Sequence, residues 1–209
     1  MKHFIVGLLL TVFILSSVVE IYAFNHGYYL EEFEKHQVAK RTDLSGEGIW
    51  YASERIIAYL KGDMDSLDIS YEGVRVFNDK ELAHMVDVKE IFNFMGLIKN
   101  LAVLLAVLIV ATSKNIRILW LGLRDTLMIS LVAGTALLFL ISRDFTGAFI
   151  QFHEIFFSNE LWLLDPGRDR LIQMLPEGFF MDMATAIVIT YLSLVIPLGI
   201  FGQIKYRKS

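Results

Sequence analysis

Four long apolar runs decide what this 209-residue chain can become: Phe4 to Phe24, Ile91 to Ser113, Leu121 to Ile141 and Met183 to Gly202. About 20 apolar residues are what a helix needs to cross a hydrocarbon core. A span facing lipid must be helical, because only then are its backbone polar groups satisfied internally. The prediction is an all-α polytopic membrane protein with four transmembrane helices. A mean hydropathy of +0.52 with 55% hydrophobic residues argues against an ordinary soluble domain.

Charge orders the spans. The segments read as inside are 1–3, 113–125 and 204–209. They hold seven basic residues (Lys2, Lys114, Arg117, Arg124, Lys205, Arg207, Lys208) against one acid, Asp125. The segments read as outside, 25–90 and 142–182, hold eleven basic and twenty-one acidic residues. The positive-inside rule therefore predicts cytoplasmic termini and an extracellular cap.

The expected layout is a first transmembrane helix over 1–24, the cap over 25–90 and a second transmembrane helix over 91–113. A cytoplasmic loop follows over 114–120, a third transmembrane helix over 121–141 and an aromatic-rich extracellular or interfacial loop over 142–182. A fourth transmembrane helix over 183–203 and a cytoplasmic tail over 204–209 complete it. The first run resembles a signal peptide, with Lys2 ahead of its apolar core, but Ser16 to Ala23 lacks the paired small residues of a cleavage site, so an uncleaved anchor is expected. Zero cysteines exclude disulfides and thiol nucleophiles. The net charge of −4 comes from the outer acids and points to no nucleic-acid partner.

Within the cap, Thr42 to Glu47 reads as a turn and helix start. Ile49, Tyr51, Ile56, Ile57 and Leu60 are spaced for one helix ending near Gly62. Residues 66–77 suggest a short hairpin around Glu72 and Gly73. Asn78 with Glu81 three residues later forms a capping box, and no breaker follows before the second span, so one continuous helix is expected. In the second outer segment Phe145, Phe149, Phe152 and Phe156 recur on one helical face, as in a helix lying in the membrane interface. Asp165 and Pro166 read as an N-cap and first-turn proline of a short helix closed by Leu175 and Pro176.

Two histidines, His84 and His153, stand on different segments at the same predicted depth. A lone histidine is most often packed or solvated; two at matching depth leave the choice even. Histidine exchanges protons near neutrality. Asp87, three residues after His84 on the same helical face, could fix its tautomer. His84, Asp87, His153 and Asp165 are also metal-ligand types, but neither HExxH spacing nor a cysteine accompanies them, so no metal or cofactor is expected. Lys99, inside the second span, reads as a snorkelling residue. Arg124 and Asp125 read as a charge pair anchoring the third span. Asp165, Asp169, Glu177, Arg168 and Arg170 form a charged patch that could solvate the loop, hold it, or meet a head group. Enzyme and non-catalytic lipid- or lipopeptide-binding protein remain evenly matched on these residues alone. A transporter is disfavoured by the lack of repeated halves and of mid-bilayer polar groups.

The stretches ELAHMVDVK (Glu81–Lys89) and FHEIFFSNELWLLDPGRDRLIQMLPEGFF (Phe152–Phe180) closely resemble the bacterial lipoprotein intramolecular transacylase family. The cap's TDLSGE and IIAYLKGD also resemble it, and so does the four-span layout. The resemblance implies an acyltransferase of the bacterial cell membrane, acting on the extracellular side as a monomer amid membrane lipids on a diacylglyceryl lipoprotein substrate. It implies that the sn-2 acyl chain moves to the α-amino group of the same N-terminal cysteine, giving a lyso-form lipoprotein. It makes His84 and His153 the catalytic histidines. Asn159, Asp165, Asp169 and Glu177 are implied in or near the site, and Phe152, Phe156, Phe157, Trp162, Phe179 and Phe180 in an aromatic pocket. Ester-to-amide transfer is downhill and requires no nucleotide or metal.

Overall fold

The computed structural model describes residues 1–209. Eight α-helices follow in order: α1 (Lys2–Ala23), α2 (His26–Lys35), α3 (Gly46–Lys61), α4 (Asp79–Ser113), α5 (Arg117–Arg143), α6 (Phe145–Phe156), α7 (Arg170–Met174) and α8 (Glu177–Lys208). A 3-10 turn at Val38–Lys40 and the two-stranded hairpin β1 (Ser70–Tyr71) and β2 (Val74–Arg75) lie between them. Helices α1, α4, α5 and α8 are long and apolar enough to cross a membrane; the apolar part of α4 begins at Ile91. The chain separates into two compact units, one of residues 1–21, 94–143 and 184–209, the other of residues 22–93 and 144–183.

The first unit is apolar outside as well as inside. Phe94, Leu101, Leu104, Val107, Val132, Phe139, Ile189 and Phe201 are exposed, as expected of faces meeting lipid. Its helices meet where side chains are small. A methyl at Gly7 would stand 2.8 Å from the Asp125 Cβ, and one at Gly122 would stand 2.6 Å from Val6. This close crossing lets the Thr126 hydroxyl donate to the Gly7 carbonyl at 3.1 Å.

Two charges on different spans of this unit pair: Lys99 donates to Glu20. Lys99 has a partner on α1, overlooked in sequence, a carboxylate that neutralises its charge. Asp125 does pair with Arg124 at 2.7 Å, and also with the imidazole of His3 at 2.5 Å.

The second unit has an ordinary core. Ser45 caps α3 by accepting from Gly48 N at 3.1 Å, and Gly62 ends it with φ +86°. Ile49, Ala52, Ile56, Ile57 and Leu60 are buried. The hairpin turns at Glu72 and Gly73, both with positive φ, as a type I′ turn requires. The capping box is closed: Asn78 Oδ1 accepts from Lys80 N and Glu81 N, while Glu81 Oε2 accepts from Asn78 N at 2.7 Å. From there α4 runs unbroken for 35 residues.

One expected helix start is displaced. Residues after Asp165 turn rather than wind: its carbonyl accepts from Arg168 N and Asp169 N, and its carboxylate accepts from Gly167 N at 2.8 Å. Asp169 closes the turn by accepting from Asp165 N at 2.7 Å. The helix begins at Arg170, with Asp169 in the N-cap position. Asp165 followed by Pro166 fits either arrangement locally; the returning Asp169 carboxylate selects the turn.

Candidate active site

Helix α4 carries His84 and α6 carries His153, both in the second unit. Asp144 starts α6 by accepting from Gly147 N at 2.9 Å, which sets the phase that turns His153 inward. His84 and His153 are 7% and 8% exposed. Their ring centroids are 6.1 Å apart with planes inclined at 35°. Residues 69 positions apart in sequence thus face each other directly.

Aromatic rings enclose the pair. His153 stacks with Trp162, at 4.9 Å, and with Phe157, at 5.4 Å, both at 29°. Phe149 lies 4.3 Å from it and Phe152 meets it edge-on at 5.4 Å. Phe157 also meets His84 edge-on at 5.2 Å. The predicted aromatic residues divide accordingly. Phe152, Phe157 and Trp162 touch a histidine. Phe156 packs on Phe152 and is otherwise exposed. Phe180 reaches Phe149 but neither imidazole. Phe179 lies instead in the core of the unit, against Tyr28, Tyr29 and Phe33. Phe149, which the resemblance did not single out, is in the box; its place four residues before His153 was the available signal.

The tautomer of His153 is set by its own helix. Its Nδ1 lies 2.7 Å from the Phe149 carbonyl, an acceptor only, so Nδ1 carries the proton and Nε2 the lone pair. Burial lowers the pKa of His153 below the usual histidine value. Burial, reinforced by the neighbouring His153, lowers His84 to about 4. Both rings are therefore neutral at pH 7.

Asp87 does not orient His84 as expected. Its carboxylate accepts from the Asn159 amide at 2.9 Å, and the buried Nδ1 of His84 has no hydrogen-bond partner. Asn159 arrives from the segment after α6, a contact that local spacing does not reveal. Asp165 and Asp169 hold the loop turn. Asp169 also accepts from the Asn78 amide at 2.8 Å. Glu177 accepts from the Thr146 hydroxyl, linking α8 to α6. Arg170 is consumed by Asp43, at 2.7 Å, and by the carbonyls of Arg75 and Val76. Asp165, Asp169 and Arg170 thus fix the loop that carries Trp162. His84, Asp87, His153 and Asp165 do not gather as a ligand set, since Asp87 and Asp165 are turned to Asn159 and to the loop backbone.

The chain matches the profile of the family "Lipoprotein intramolecular transacylase Lit" over residues 4–180. It is similar to the solved structure of the membrane-integral lipoprotein intramolecular transacylase Lit from Bacillus cereus, with TM-score 0.85 and 25% identity over 100% of this chain and 97% of that one. Two variants of that protein, with one histidine replaced by arginine or by alanine, match with TM-scores of 0.75 and 0.77. Both are 25% identical, over 99% and 100% of this chain and 89% and 94% of theirs. No curated protein matches.

Proposed function

The chain belongs to the lipoprotein intramolecular transacylase family and is a multi-pass membrane acyltransferase; from that premise we propose that it moves the sn-2 acyl chain of a diacylglyceryl-cysteine lipoprotein onto the α-amino group of the same cysteine, using His84 and His153. The observation that carries this reading is the pair of buried, neutral imidazoles facing each other inside an aromatic box. A protein that merely held lipid would need the aromatic rings but not the paired bases.

The amine has a pKa near 8 and attacks only when neutral. His153, with its lone pair on Nε2, is the base that takes the proton from the attacking nitrogen. The new C–N bond closes a ring of N, Cα, Cβ, S, two glyceryl carbons, the ester oxygen and the acyl carbon. The C–O bond to the glyceryl oxygen then breaks, and the proton held by His153 reaches that oxygen through His84, which gives up its own N–H proton as it takes the one from His153, so both rings end neutral. The products are the amide and the free sn-2 hydroxyl, with no net change in protons. Eight-membered rings close poorly unless their conformers are restricted, so the aromatic walls contribute by holding the substrate folded. The excess of basic residues in the segments 1–3, 113–125 and 204–209 supports cytoplasmic termini and a reaction on the extracellular side.

The test is to substitute His153→Ala and His84→Ala separately and follow lyso-form product from a diacylglyceryl lipopeptide by mass spectrometry. Each variant is expected to lose on the order of 10²-fold or more in rate while staying folded. Full activity in either one sinks the assignment.

A further inference from the structure

A second group of titratable side chains lies in the same unit, away from the histidine pair. Glu32 and His36 are one turn apart at the end of α2, and Asp182 is in the second turn of α8. One donor atom from each falls within 4.8 Å of the other two. His36 Nε2 is 2.7 Å from Asp182 Oδ2 and 3.2 Å from Glu32 Oε2. Metal–ligand bonds of about 2.0–2.1 Å hold neighbouring donors about 3 Å apart, so little movement is needed to close the set on an ion.

Three further features separate this cluster from an ordinary surface ion pair. Glu32 is only 8% exposed, and its Oε2 accepts no hydrogen bond; its nearest cationic groups are His36 Nε2 at 3.2 Å and the Lys35 ammonium at 3.6 Å. A buried carboxylate oxygen in that condition costs free energy that a cation would recover. The imidazole of His36 is seated in a slot against Gly178, where a methyl group would stand 2.6 Å from its Cε1. The ring is thereby held before any ion arrives. Finally, the competing ammonium can leave: Lys35 lies 2.7 Å from Asp182 and 3.6 Å from Glu32, but its side chain is 54% exposed.

We propose that Glu32, His36 and Asp182 form a divalent-cation site that ties the end of α2 to the start of α8. One imidazole nitrogen with two carboxylates suits zinc; calcium and magnesium prefer oxygen alone. The fourth position is open to water or to the Tyr28 hydroxyl, which lies beside the same carboxylates. On loading, His36 offers its Nε2 lone pair to the metal and Lys35 releases both carboxylates. The site is separate from the acyl-transfer reading and stands or falls independently of it.

The experiment uses the full-length protein in detergent, stripped with chelator and then titrated with zinc, with bound metal measured by mass spectrometry and unfolding followed thermally. One zinc per chain and a rise in Tm are expected. Glu32→Gln and Asp182→Asn, which keep side-chain size, should each weaken binding at least tenfold, and Lys35→Met, which keeps every ligand, should tighten it. His84→Ala should leave zinc binding unchanged. Stoichiometric zinc undiminished in Glu32→Gln and Asp182→Asn overturns the site, as does zinc binding lost in His84→Ala, weaker zinc in Lys35→Met, or no zinc above that of the Glu32→Gln/Asp182→Asn double variant.

Discussion

The Nδ1 of His153 donates to the carbonyl of Phe149 one turn earlier in α6, at 2.7 Å. A helical carbonyl, itself part of the backbone ladder, thus decides which nitrogen of the proposed base is free. No carboxylate is needed to orient it, so the ring is held chiefly by that bond and by the two aromatic planes stacked on it.

Trp162 supplies one of those planes. Trp162→Ala removes the ring 4.9 Å from His153 and lets the imidazole tilt. Acyl transfer should fall on the order of 10–100-fold, since small misplacements of a reacting group cost that much. Because Trp162 is half-buried, Tm should change little. A large loss of Tm with unchanged activity would show that the ring supports the loop alone.

The histidines also set a pH dependence. In the folded protein His84 has a pKa lowered to about 4 by burial and by His153, and His153 is lowered by burial; unfolded, both titrate near 6.5. Between these values the unfolded chain binds more protons than the folded one. Stability is therefore full above about pH 6.5 and declines as pH falls towards 4. Activity should show no break near 6.5 and should climb towards about pH 8, where the substrate amine becomes neutral. Thermal unfolding across pH, with His84→Gln as the variant that flattens the decline, checks the first statement; kcat/KM across pH checks the second.

Glu81 satisfies two backbone donors at once, the half-buried Asn78 N and the buried Leu171 N. Glu81→Ala leaves both without a partner and should destabilise the protein by about 2–4 kcal/mol. Glu81→Gln keeps one acceptor oxygen and should cost about half as much. Chemical denaturation of the detergent-solubilised protein measures both, and equal losses in the two variants would contradict the double bond.

Lys99 and Glu20 form an ion pair among apolar helices. Lys99→Met alone strands a carboxylate, and the expected cost is about 3–5 kcal/mol. The double change Lys99→Met with Glu20→Leu should return most of it, because two apolar side chains replace two desolvated charges. Additive losses in the double variant would mean the two residues act separately.

The four spans were legible because hydrocarbon thickness imposes a length that no local preference can disguise. The helix over α3, the turn at Glu72 and Gly73 and the capping box at Asn78 were legible because each is set by residues a few positions apart. What escaped the sequence was long-range. Glu20 with Lys99, Asn159 with Asp87 and Asp182 with His36 are separated by 72 to 146 positions, and no spacing rule joins them. Asp165 misled for a different reason: its side chain accepts a backbone proton in a turn just as it would at a helix start, and only the answering carboxylate of Asp169 distinguishes the two.

Phe179 and Phe180 are neighbours in the first turn of α8, their rings 5.3 Å apart and nearly perpendicular. One ring enters the core formed with Tyr29 and Phe33; the other touches Phe149 of the histidine box. Successive residues on a helix point about 100° apart. Inserting or deleting one residue between Pro176 and Phe179 would therefore exchange an apolar core contact for a gap on both sides simultaneously. The length of that short connection is therefore as strict a requirement on the packing of this unit as the buried Phe179 ring itself.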